Sequence, residues 1–97
     1  METHDTHESG ITFAGFILSL ATTAAVHFGD IADPNTGKPG EPNLPAAAQI
    51  IDLIALLQDR TKGNLIEPEE RMIEDLLYEL RLRFVQAQQG ERRTVEP

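Results

Sequence analysis

The stretch ITFAGFILSLATTAAVHF, residues 11–28, decides the fold. It contains no charged side chain, and none occurs between Ser9 and Asp30. Gly29 supplies a stop at its end. A helix that is apolar on every side belongs either in the middle of a core or in a membrane. Two neighbouring helices leave part of its circumference open, and each large side chain exposed there forgoes roughly 1.5–3 kcal/mol of burial. Phe13, Phe16, Ile17, Leu20, Ala24 and Phe28 are therefore the candidate contacts with a second copy of the chain. Twofold self-association is the commonest way to cover such a strip.

A bilayer is the rival destination, since about 18–20 uncharged residues suffice to span one. Thr12, Ser19, Thr22, Thr23 and His27 lower the hydrophobicity, and the flanks Glu8 and Asp30 are acidic with no adjoining Lys or Arg. Insertion is thus disfavoured, and a membrane-associated subunit anchored by this helix is the third reading. Gly15, Ser19, Thr23 and His27 recur every four residues as a small, polar seam. Such a seam suits a close helix crossing, with hydroxyls bonded to i−4 carbonyls or to a neighbouring helix. It also admits a polar pocket in which His27 titrates or binds a metal. A lone His at a helix end is ordinarily structural.

Beyond Gly29, residues 30–43 hold Pro34, Pro39, Pro42, Gly37 and Gly40, which exclude a helix. Within them Asp33-Pro34-Asn35-Thr36-Gly37 reads as a turn. The spacing predicts a second helix over about residues 45–62, entered through Pro45 and stopped by Gly63 and Asn64. Ile50, Leu53, Ile54 and Leu57 make one stripe, widened by Ile51, Ala55 and Leu56, with Asp52, Gln58 and Asp59 outside. A third helix is expected over about residues 68–88, entered through Pro68. Ile73, Leu76, Leu77, Leu80 and Phe84 form its single apolar stripe, and Glu74, Asp75, Glu79 and Arg83 its solvated face. Its early acids and the late Arg81 and Arg83 complement the helix dipole. Both arginines are long enough to reach a helix C-terminus or an acid of a partner chain. Residues 1–10 and 90–97 read as disordered tails around one helical domain, residues 11–89.

A chain of 97 residues builds one small core at most, and small domains commonly recover stability through disulfides, metals or oligomerisation. Cysteine is absent, so no disulfide framework exists. The acidic N-terminus resembles no signal peptide, which makes the cytoplasm the expected compartment. A net charge of −8 argues against nucleic acid, whose phosphates call for clustered Lys and Arg. Enzyme chemistry lacks parts. Ser19 sits inside an apolar helix without nucleophile-elbow glycines, and the acids lie on a wet face where no carboxylate pair is desolvated. His4 and His7 with Asp5 and Glu8 make a weak metal clip that lacks the second half of a zinc motif. Asn35-Thr36-Gly37-Lys38 lacks the first glycine of a phosphate loop, because position 32 is Ala32. No cofactor is expected, and His27 is the one weak metal candidate in the foldable chain.

Several blocks stand in a recognisable order: Phe16-Ile17-Leu18-Ser19-Leu20, Val26-His27-Phe28-Gly29, Thr36-Gly37-Lys38, Ile51-Asp52-Leu53 and Leu56-Leu57, followed by Thr61-Lys62-Gly63-Asn64-Leu65 and Leu76-Leu77-Tyr78-Glu79-Leu80-Arg81-Leu82-Arg83-Phe84-Val85. In their order and spacing the chain resembles the short bacterial proteins known as domain of unknown function 1844. The resemblance implies a cytosolic bacterial protein of no established activity, and it supplies no site residues. Two departures stand out: a Pro-rich spacer over residues 39–44, and Ile66-Glu67-Pro68 where the family tends to place a Thr N-cap.

The reading that results is all-α: a long apolar helix followed by an antiparallel αα-hairpin, assembled as a homodimer of six helices with two first helices at its centre. The function expected is non-enzymatic, that of an oligomeric interaction or scaffold protein, with a further protein partner compatible. The alternative is a small-ligand or metal-binding bundle using His27, Ser19 and Thr23.

Overall fold

The computed structural model describes residues 10–95, with side chains through residue 90. They form three helices, α1 (Phe13–Phe28), α2 (Leu44–Arg60) and α3 (Glu67–Val95), and no strand occurs among the described residues. The all-α expectation holds. The ends differ from the expected ones for local reasons.

α1 begins at Phe13 because Thr12 is extended (φ −128°, ψ 159°) and its Oγ1 accepts the Gly15 N–H at 2.9 Å. It stops at Phe28 because Gly29 is left-handed (φ 82°). Gly29 N–H then donates to the Val26 carbonyl at 2.9 Å and Asp30 N–H to that of Ala25 at 3.0 Å, the paired bonds of a Schellman end. The linker folds on itself where a turn was expected. The Asp33 carbonyl accepts Thr36 N–H and Gly37 N–H, and its carboxylate accepts Asn35 N–H at 2.8 Å. Asn43 closes the linker. Its N–H donates to the His27 carbonyl at 2.7 Å while its Oδ1 accepts Ala46 N–H at 3.1 Å, so one residue ties the end of α1 to the start of α2.

α2 ends at Arg60, two residues short of expectation, because Thr61 turns back: its Oγ1 and its N–H both donate to the Leu57 carbonyl, at 2.7 and 3.0 Å. Gly63 (φ 86°) then completes the tight turn. α3 has no side-chain acceptor at its first cap, Ile66. Glu69 instead reaches back to accept Ile66 N–H at 3.1 Å, which is half of a capping box. α3 also extends past its expected end near residue 88. The helix runs through Gly90 to Val95, since a mid-helix Gly costs only about 1 kcal/mol and no Pro follows before its end. Residues 1–9, including His4 and His7, lie outside the described residues.

The core draws on all three helices: Ile17, Ala24 and Phe28 of α1, Leu44, Ala47, Ile51 and Ile54 of α2, and Ile73, Leu77 and Leu80 of α3. α2 and α3 run antiparallel, which brings Ala48 and Ile51 beside Arg81 and Phe84. At 1.5 Å per residue, the 29 residues of α3 reach about 44 Å against about 26 Å for the 17 of α2. The C-terminal part of α3 therefore overhangs the bundle. No helix among the described residues is long and apolar enough to cross a membrane. The 16 residues of α1 span about 24 Å, short of the roughly 30 Å of a hydrocarbon layer.

Candidate functional site

The bundle divides the expected contact residues of α1 in two. Ile17, Ala24 and Phe28 are buried within the chain itself, so they are not available to a partner. Phe13 and Leu20 pack half-buried against the core, and Phe16 alone of the six is exposed, at 45%. An all-round apolar helix does not reveal which side its own chain will take. The outward face consists instead of Gly15, Phe16, Leu18, Ser19, Thr22 and Thr23.

This face is chemically quiet. Ser19 Oγ donates to the Phe16 carbonyl at 2.7 Å, Thr22 Oγ1 to that of Leu18 at 3.0 Å, and Thr23 Oγ1 to that of Ser19 at 3.0 Å. The hydroxyl donors are thereby spent inside the helix, and what they show to the outside is largely methyl and methylene. Gly15, Ser19 and Thr23 thus lie on the surface of the bundle, not in a crossing within it. Thr23 keeps its hydroxyl on the i−4 carbonyl, as expected of such a seam, and Ser19 and Thr23 are exposed where the alternative reading would place a polar pocket. His27 is half-buried and uses its backbone carbonyl to hold Asn43. Among the described residues, no three His, Cys, Asp or Glu side chains gather as a metal site.

α3 carries a surface that periodicity analysis missed. Tyr78, Leu82 and Val85, spaced i, i+4, i+7, are 69%, 46% and 47% exposed. They line a shallow depression of about 360 Å³ with Glu74, Leu77 and Arg81. Val85 and Arg81 also border a groove of about 280 Å³ between α2 and α3, walled by Ala48, Ile51, Asp52 and Phe84. Glu74, Asp75 and Glu79 are exposed as expected, and beside them runs a second, shorter apolar stripe. The signal was present in the sequence, one helical face away from the longer stripe that absorbed the reading.

Arg83 leaves the solvated face and, as its length allows, reaches the C-terminal end of α1, where Nε and Nη2 donate to Asp30 Oδ2 and Oδ1 at 2.8 and 2.6 Å. Its guanidinium also lies 5.2 Å from the centre of the Phe28 ring. A carboxylate just past a helix C-terminus meets the negative end of the dipole, and Arg83 offsets this. Hydrogen bonding to Arg83 holds the Asp30 carboxyl below its usual value, against the opposing effect of partial burial. Because the folded pKa is the lower one, the pair stabilises fully above the unfolded value and fades as pH falls through the folded value, below about pH 4. Both side chains are over a third exposed, so solvent screening limits the gain to about 1 kcal/mol or less. Asp30→Asn should therefore lower the urea midpoint slightly at pH 7 and by less near pH 2.5. An equal difference at both pH values would contradict this.

No curated protein and no solved structure matches the chain. Residues 10–86, which include all of α1, all of α2, the linker, the turn and most of α3, match the family described as Domain of unknown function (DUF1844), and the chain belongs to that family.

Proposed function

We propose that the protein works by contact and not by catalysis: it is a helical interaction module that self-associates through the outward face of α1. The observation that carries this reading is a solvent-facing helix surface with no charge from Thr12 to Gly29, on which Phe16 and Leu18 stand 45% and 49% exposed. Soluble surfaces ordinarily interleave charges of both signs, and an uncharged face of this kind is the mark of an interface. The small residues Gly15 and Ser19 let a second helix approach closely, and the internally bonded hydroxyls demand little when water leaves. A contact role also fits a core whose buried residues are all hydrophobic among those described, because it holds no desolvated acid or base.

Ser19→Lys tests the reading. Ser19 is exposed in the single chain and Lys is a good helix former, so helix content should not change. An unpaired charge buried between two copies costs about 3–5 kcal/mol, so the variant should have a lower mass by light scattering than the parent. A parent that is a 10.7 kDa monomer, or a well-folded variant with the parent's mass, would overturn the proposal.

A further inference from the structure

The outward stripe of α3 has a charge order that is complementary to itself. Glu74 and Arg81 stand seven residues apart on it, with Tyr78 almost midway, and all three border the same depression. Neither charge has an ion-pair partner among the described residues. Laid antiparallel on another α3, the stripe pairs residues whose numbers add to a constant. The register that sets Glu74 against Arg81 does so twice, once on each side of the dyad. It brings Tyr78 of each copy to the depression of the other, and it sets Val85 against the stem of Glu70. A parallel pairing would set Arg81 against Arg81 and Glu74 against Glu74, so the charges also select the direction. In this register residues 67–88 overlap, which gives about 33 Å of helix contact.

We propose that the α3 stripe is a second self-association surface, occupied by α3 of another copy in antiparallel orientation, with reciprocal Glu74–Arg81 pairs. It goes beyond the α1 contact and does not depend on it. Two different isologous contacts on one chain assemble four copies with dihedral symmetry when their axes cross. The full chain is then a tetramer in which either contact alone leaves a dimer.

The test uses charge exchange, because Glu and Arg are both strong helix formers and neither substitution should cost α3 its helix. Arg81→Glu and Glu74→Arg should each halve the mass of the parent assembly, since like charges then face each other twice. Mixed in equal amounts, the two variants should recover the parent mass, because every facing pair is again opposite. The double variant Glu74→Arg/Arg81→Glu should recover it unaided. An affinity-tagged Arg81→Glu chain should capture Glu74→Arg several-fold better than it captures untagged Arg81→Glu. Retention of the parent mass by both single variants, or failure of mixing to restore it, overturns the proposal. The α1 reading fails separately: Ser19→Lys would keep the parent mass while Arg81→Glu still lowered it.

Discussion

Phe28→Ala is expected to lose about 3–5 kcal/mol, the range for truncating a buried aromatic ring. The ring is 2% exposed, joins the core at the last turn of α1, and carries the Arg83 guanidinium on its face. One core of this size supplies about 3–5 kcal/mol in all, so the variant should be largely unfolded at 25 °C. Phe28→Leu keeps most of the apolar volume and should lose far less. Thermal melts at matched chain concentration decide the matter, because self-association makes the melting temperature concentration-dependent. A melt of Phe28→Ala within a few degrees of the parent would show that this contact is not what holds α1 to the bundle.

The second large effect is at Gly29, where two demands coincide. Its φ of 82° is a conformation that a β-branched residue avoids, at a cost of about 1–3 kcal/mol. A Cβ there would also stand 3.0 Å from the Gly40 carbonyl oxygen, where the linker passes over the end of α1. Gly29→Val should therefore exceed the backbone cost alone, since the linker has to shift and the Asn43 bond to His27 with it. Gly29→Asn tolerates the left-handed backbone better and should fall between the parent and Val in melting temperature. Equal destabilisation by Asn and Val would mean that contact with Gly40, and not φ, sets the cost.

Much of the architecture is legible from local chemistry. Gly29 and Gly63 are readable as positions where the chain must turn, the Asp33-Pro34-Asn35-Thr36-Gly37 turn is readable from its residues, and the longer stripe of α3 marks the true core face. What escaped depends on tertiary placement. Ile17 and Phe16 are equally apolar, and only packing against α2 and α3 buries the first and exposes the second. Arg83 finds Asp30 across 53 residues of sequence, which no periodicity encodes. Asn43 was overlooked as a cap because Pro45 already explained the helix start, although its side chain makes the capping bond. The stripe of Tyr78, Leu82 and Val85 was masked by a stronger periodic signal on the same helix.

The α1 contact we propose rests on residues other than those the sequence alone nominates. Ile17, Ala24 and Phe28 belong to the chain's own core, and Gly15, Phe16, Leu18, Ser19, Thr22 and Thr23 are what remains for a partner. Disulfide trapping tests that claim most directly, because the chain has no cysteine of its own. Ser19→Cys places a single thiol in the middle of the uncharged face, and Asp59→Cys places one on the exposed face of α2. Under mild oxidation at low chain concentration, the account predicts rapid conversion of the Ser19→Cys chain to a covalent dimer while the Asp59→Cys chain lags far behind. Cross-linking at equal rates would contradict it.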